Sequence, residues 1–404
     1  MTTEIKGTAG VRAAEGVGPY NVTRTMAGDM ISDAGAPEGA DCHGPAAIAM
    51  TGETGSRRAE VVAPYERNGK KLQILVPHYH EDAAVIRPLL DSIAIQQNVD
   101  FSEIGVIICH DGAEIGHFVF DDDRLPFDTP DLPAYPFEIR QINIPHKGVS
   151  AARNACLDAA TAEYVMFCDA DDMFFSACAL WVLFREMQGD GFDGLVSLFV
   201  EETRHPQTGE VVYLNRENDS TFVHGKVWRL EYLIENGIRW NEALQIHEDS
   251  YFNSLAINLS EKVKDCPISF YLWRWREDSV CRHDPKYMLK TYRNFIDSND
   301  ALVDEYLRRG KDEMGRNLAA FMIFDAYYTM NKPEWINQEN REYRAETERR
   351  FSAYYRKHGE LWRALDPKEK MRMSNGVRTR NVKEGMGMEE QTIDEWLRHV
   401  EGME

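Results

Sequence analysis

The sequence predicts an α/β fold: a mostly parallel sheet with helices on both faces, followed by a helical C-terminal region. Three observations carry this expectation. Between about Lys71 and Asp172, strand-length apolar runs alternate with helix-length amphipathic ones. The strand-length runs are apolar at consecutive positions, so both of their faces are to be covered, as in parallel sheets. From about Tyr287 the pattern becomes helical and highly charged.

Order begins at "KKLQILVP", where Leu72 to Val76 reads as a buried strand ended by Pro77. "DAAVIRPLLDSIAIQQ" has helical spacing through Val85, Ile86, Leu89, Leu90 and Ile93, with Pro88 expected only near the first turn. "IGVIICHDG" and "FEIRQINI" read as further strands, and "GVSAARNACLDAAT" as a small-residue helix able to lie close on a sheet. "EYVMFCDADD" is a fourth strand with an acidic tip. "GLVSLFVEETRHPQTGEVVYL" reads as strands with a hairpin, "RLEYLIENG" as a helix stopped by glycine, "EDSYFNSLAINL" as a helix and "ISFYLWRW" as a strand. The later helices are expected to break near Asn331-Lys332-Pro333. Domain boundaries follow: a tail to residue 68, a folded α/β unit over 69–285 and a helical region over 286–404. The tail is rich in Gly, Ala, Thr and Glu and is expected to be disordered, because it has too little apolar surface to offset the entropy of ordering.

With 43% hydrophobic and 28% charged residues, the composition is that of a soluble globular chain. A net charge of −21 disfavours nonspecific attraction to nucleic acid or anionic membrane. No apolar stretch approaches the roughly 20 residues that span a bilayer, and no basic-then-apolar leader opens the chain. The seven cysteines are scattered without a C-x-x-C pair, which points to a reducing, cytoplasmic compartment.

Chemistry concentrates where strands end, the edge at which open α/β sheets bind ligands. Pro77-His78-Tyr79, His110-Asp111-Gly112 and Asp169-Ala170-Asp171 all fall there. Asp169 and Asp171, one residue apart, could share a hard divalent cation, Mg²⁺ or Mn²⁺; the plain alternative is a solvated acidic loop with Asp172 capping the next helix. In "HEDSYF", Glu248 and Asp249 open a helix, where one could be a simple cap and Asp249 could be a general base. His247 could be a ligand or lie behind one, although a lone histidine is more often neither. Asp111 could meet a base or ribose, or merely form an Asx turn. Lys147 precedes the small-residue helix that holds Arg153 and Asn154, and Asn154 is expected to tie that helix to a loop.

Taken in order, these segments resemble the family-2 glycosyltransferases of GT-A fold, from about Lys71 to Arg282. "ILVPHYHEDAAVIRPLLDSIAIQQ" is similar to that family's P-x-Y-N-x-E opening. "IICHDGAE" is similar to its D-D-G-S segment, and "KGVSAARNACLDAATAEYVMFCDADD" to G-x-x-x-A-R-N running into D-x-D-D. "GKVWRLEYLIENGIRWNEALQIHEDSYF" resembles the acceptor-side segment ending in E-D. The resemblance implies an inverting transfer of one sugar from a nucleotide-diphosphate sugar, a UDP-sugar favoured, with Mn²⁺ or Mg²⁺. It implies that Pro77, Tyr79, Glu81, Asp111, Lys147, Asp169 and Ala170 meet the donor and that Asp171, with Asp169, meets the metal. Asp249 is implied as the base. Glu248, Trp273, Arg274 and Arg276 are candidates for the acceptor or diphosphate.

Two positions depart from the family pattern: His110 stands for its first Asp, and His80 for its Asn. Tyr271 replaces the Gln of the Q-x-x-R-W signature of processive members, which favours single transfers. The implied acceptor is a glycan or lipid-linked glycan, with protein or modified DNA as alternatives and a homodimer possible. Rival readings are a noncatalytic nucleotide-sugar-binding module and a nucleotidyltransferase. The latter is disfavoured because "PHYHEDAAV" is acidic and lacks glycine.

Overall fold

The computed structural model describes residues 69–112, 135–371 apart from 190, 206, 219–220, 278, 280–283 and 285, and 393–402. The tail expected over 1–68 lies outside the described residues.

The four expected strands form as β1 (Leu72–His78), β2 (Ile104–Asp111), β3 (Glu138–Ile144) and β4 (Tyr164–Phe167). They pair in parallel in the order β3-β2-β1-β4. β1, β2 and β4 are buried along their whole length, as their unbroken apolar runs require, whereas β3 alternates in exposure because it ends the sheet. Helix α1 (Ala83–Ala94) is capped by Asp82, whose side chain accepts from the Ala84 N–H at 3.1 Å. Pro88 stands at its sixth position, a turn deeper than expected; the missing N–H forfeits only one bond within the helix. α2 (Val149–Ala159) packs its small residues against β1 and β2.

Beyond β4 the sheet becomes mixed. β5 (Met173–Phe174), β6 (Gly194–Arg204), β7 (Val211–Arg216), β8 (Lys226–Arg229) and β9 (Val263–Trp273) extend it in the order β4-β8-β6-β9-β5, with β7 paired to β6 as the expected hairpin. The expected mostly parallel arrangement therefore holds in the first half, while β8 runs antiparallel to both β4 and β6. β8 is four residues long and has no periodicity of its own; its place is set by the strands on either side. Trp228 on β8 covers Gly194, where an added Cβ would lie 2.3 Å from the indole, so only glycine admits this approach.

Helices α3 (Ala179–Glu186), α4 (Leu230–Glu235) and α5 (Glu248–Asn258) complete the α/β part, and Gly237 ends α4 at φ +55° as expected. Then follow α6 (Tyr287–Arg308), α7 (Asp312–Met330), α8 (Pro333–Ile336), α9 (Arg341–Arg363) and α10 (Ile393–Glu401), with the expected break between Met330 and Pro333. Two apolar clusters cover the two faces of the sheet. One holds Ile74, Val106 and Leu183; the other runs from Leu75 and Ile107 through Phe252 and Phe295 to Trp362 and Trp396. The helical region thus shares a core with one face of the sheet. No described helix is long and apolar enough to cross a membrane.

Candidate functional site

The register of the parallel strands aligns the three polar tips. His78 pairs with His110 across β1 and β2, and β4, the other neighbour of β1, continues into Asp169. At the first tip, the Glu81 carboxylate accepts the Tyr79 N–H at 2.8 Å, which orders the turn after β1. Tyr79 is half exposed and stacks on His146, ring centroids 4.4 Å apart. Pro77 lies in the last part of β1, and His80 takes a left-handed conformation at φ 57°.

Behind this turn lies a buried histidine pair. His78 Nδ1 and His110 Nδ1 are 2.8 Å apart, and His110 Nε2 is 2.9 Å from Gln141 Oε1. His78 Nε2 lies 2.8 Å from the Glu81 carbonyl, an oxygen that can only accept, so this nitrogen donates. The two departures from the family pattern thus differ in place: His110 is fully buried, whereas His80 is exposed on the turn.

Asp111, 2% exposed, accepts from the Lys147 N–H at 2.7 Å, the Gly148 N–H at 2.8 Å and His146 Nδ1 at 2.9 Å. It thereby fixes the loop that launches α2. Gly148 has φ +95°, which side-chain-bearing residues rarely adopt. The Lys147 side chain is left exposed on the rim. Asn154 performs the expected tie, bonding the Trp240 carbonyl and N–H at 3.0 Å each.

Arg153 joins residues that the sequence kept apart. Almost wholly buried in α2, it donates from Nη2 to Asp169 at 2.9 Å, and from Nη1 to Asp249 at 2.7 Å and Glu248 at 3.1 Å. Its guanidinium lies 4.3 Å from the centre of the Trp240 ring. Burial by itself would lower its pKa, but Asp249, Asp169 and Glu248 together raise it, so it stays charged. Only the G-x-x-x-A-R-N pattern hinted at this residue; its charge among small, buried neighbours is the signal that could have found it.

Three carboxylates on one cation leave negative charge in excess. Burial, then Asp249 beside it, push the Glu248 carboxyl up to about 8, against the pull of Arg153. Burial also raises Asp249; Arg153 opposes this, Asp169 adds to it, and the Lys226 ammonium opposes it. The second Asp249 oxygen accepts the Val223 N–H at 3.3 Å. Lys226 is buried on β8 and donates to Asn218 and to the Phe222 carbonyl. His247 turns away from this group: left-handed at φ 65°, it packs on Phe295 of α6, and burial lowers its pKa to about 4.

At the acidic tip of β4 the aspartates diverge. Asp169 and Asp171 are each about one-third exposed, whereas Asp172 is buried. Asp172 does not cap the next helix; it accepts from Tyr271 Oη at 2.5 Å and from the Arg274 N–H at 2.9 Å, anchoring the tip to β9. Ala170 between them is buried. Asp171 accepts from Arg276 Nη1 at 3.2 Å, and its carbonyl from Arg274 Nη1 at 3.1 Å. Burial and Asp169 raise the Asp171 carboxyl, against Arg276. Trp273 packs beside Phe222 and His224, at 5.4 and 5.2 Å between ring centres.

A divalent cation fits this donor set. Asp169, Asp172 and His224 present ligand atoms within 4.8 Å of one another, whereas Asp171, the expected partner of Asp169, is outside this set and pairs with Arg276. Burial first, and then repulsion from neighbouring aspartates, raise the Asp171 and Asp172 carboxyls, and a bound cation relieves that repulsion.

Residues 73–226 match the profile of the family described as Glycosyl transferase family 2. The chain is 24% identical over 227 residues to the uncharacterized glycosyltransferase EpsJ of Bacillus subtilis (strain 168), an alignment covering 52% of this chain and 62% of that protein. It therefore spans less than two thirds of that relative's length. Among solved structures, S. aureus TarS 1–349 has 16% identity and a TM-score of 0.49, covering 80% of this chain and 95% of that one. The mannosyltransferase PcManGT from Pyrobaculum calidifontis, in complex with GDP-Man and Mn²⁺, has 14% identity and a TM-score of 0.40, covering 75% and 91%.

Proposed function

From the premise that the chain carries a glycosyl transferase family 2 domain, we propose that it is an inverting glycosyltransferase. It moves one sugar from a nucleotide-diphosphate sugar, a UDP-sugar favoured, to an acceptor hydroxyl, with Asp249 as general base. The observation that carries this reading is the Arg153 bridge: one guanidinium holds Asp169 on the donor-side tip and Asp249 at the start of α5. The acidic groups assigned to donor and acceptor therefore serve one place.

In this reading the nucleoside lies along the rim formed by Pro77, Tyr79, Glu81, Asp111 and Lys147. Asp169, Ala170 and Asp171 meet the sugar-diphosphate. Asp171 with Asp169 would hold Mn²⁺ or Mg²⁺, which when bound neutralises charge on the departing diphosphate. Arg276, which bonds Asp171, would take up diphosphate charge, with Arg274, which bonds the Asp171 carbonyl, assisting. Asp249 accepts the proton of the attacking hydroxyl, and Arg153 aims its carboxylate and opposes the burial that favours its protonated form. Glu248, whose pKa is pushed up to about 8, holds a proton at neutral pH and so limits the charge around Arg153. Attack opposite the leaving group inverts the anomeric centre without a covalent enzyme intermediate. Trp273 offers a ring to the acceptor, with a glycan or lipid-linked glycan as the favoured class.

A thermal-shift screen of UDP- and GDP-sugars, with and without Mn²⁺, tests the proposal, because a ligand that binds the native state raises its melting temperature. Selective stabilisation by one donor, followed by release of its nucleoside diphosphate, is the expected result. Donor binding with no release under any acceptor condition assigns a noncatalytic binding module instead.

A further inference from the structure

A second group of side chains lies in the helical region, away from the strand tips. Asp300 and Asp304 stand one turn apart on α6, and Lys357 and His358 lie on the facing helix α9. His358 is 3% exposed, and its Nε2 is 2.6 Å from Asp300 Oδ1 and 3.8 Å from Asp304 Oδ1. One ligand atom from each of these three residues falls within 4.8 Å of the others. Around a tetrahedral metal with bond lengths near 2.0–2.2 Å, neighbouring ligands lie roughly 3.4 Å apart, so shifts of under about 1 Å would complete the set.

Two further observations point to a cation here. The carboxylates already converge on one, since Lys357 Nζ contacts Asp300 at 2.7 Å and also contacts Asp304. That lysine is 45% exposed on a flexible stem, so it can leave for water at little cost, whereas the imidazole is locked in place. Independently, the Tyr354 hydroxyl is 2% exposed and has no hydrogen-bond partner among the described residues. Its ring lies 4.9 Å from that of His358. A buried phenol beside the His358 ring, with its hydroxyl unpartnered among the described residues, has room for a bond to a water on a metal at its open position.

We propose that Asp300, Asp304 and His358 form a site for a borderline transition-metal ion of the Zn²⁺ or Co²⁺ class, which displaces Lys357 and clamps α6 to α9. The mixed imidazole and carboxylate donors favour such ions over Mg²⁺, which takes oxygen ligands. The site is independent of the proposed transferase chemistry.

Co²⁺ titration of the metal-stripped full chain, followed by visible absorption and calorimetry, tests it. Beyond any ion held at the strand tips, the unmodified protein should bind one equivalent that both Asp304→Asn and His358→Gln lose or weaken by roughly 10–100-fold, a range typical of damage to a metal's coordination. Asp304 is half exposed, so its substitution leaves the fold intact should the buried histidine variant misfold. Lys357→Met should tighten binding about tenfold, since it removes the competing ammonium. The rise in melting temperature with Zn²⁺ should be smaller in Asp304→Asn than in the unmodified protein. Unchanged Co²⁺ stoichiometry and affinity in Asp304→Asn, or no tightening in Lys357→Met, would overturn the assignment.

Discussion

Among the described residues, two of the acidic clusters gathered on a cation differ in what surrounds them. At the strand tips, Asp169, Glu248 and Asp249 share a single buried Arg153, and burial raises the carboxyl groups of both Glu248 and Asp249. Between α6 and α9, Asp300 and Asp304 meet a half-exposed Lys357; there, hydrogen bonds from His358 and Lys357 overcome burial and lower the Asp300 carboxyl. Solvent and charge balance explain the contrast. Where three acids crowd one guanidinium out of water, one of them keeps a proton; where two acids nearer the surface each receive a lysine contact, they form an ordinary ion pair.

Removing the base should break the first cluster's chemistry most severely. Asp249→Asn is expected to lower turnover by about 10²–10⁴-fold with donor affinity nearly unchanged. Steady-state kinetics at wild-type rate would end the role assigned to this residue. Next in size is Arg153→Met, which strands three carboxylates; losing one partner of a buried pair costs about 3–5 kcal/mol, and urea unfolding would measure it. A loss below about 1 kcal/mol would place this arginine with the surface pairs. Asp171→Asn should weaken Mn²⁺-dependent binding of UDP by calorimetry while leaving metal-free binding alone. Equal affinity in the variant would remove Asp171 from the metal.

The smallest effect concerns pH. The Glu248 carboxyl lies above its ordinary value of 4.5, at about 8, so the native state keeps a proton that the unfolded chain has released. The associated stability is fully present below 4.5 and is lost as pH rises through about 8. Glu248→Gln should therefore lose less melting temperature between those limits than the unmodified chain. Parallel melting curves for both proteins would contradict the shift.

Much of the fold was legible because its signals are local. The unbroken apolar runs of β1, β2 and β4, the glycine after α4 and the proline after α7 each act within a few residues. β8 was not legible, because four residues without a period take their place from their neighbours. In the site, strand-end position drew attention to Asp111, Asp169 and Asp171, and a helix start to Asp249. It did not reveal that Asp172 is buried beneath Tyr271, nor that Asp111 holds the loop before α2.

The sequence by itself determined the alternation of strands and helices, the rim where polar residues gather and the helical nature of the C-terminal region, since periodicity and turn chemistry are short-range. Tertiary structure decided which charges meet. Arg153 reaches Glu248 and Asp249 across 95 and 96 positions, and Tyr271 reaches Asp172 across 99. Burial and electrostatic coupling depend on distance in space, and nothing in the order of residues along a chain sets that distance before the sheet is assembled.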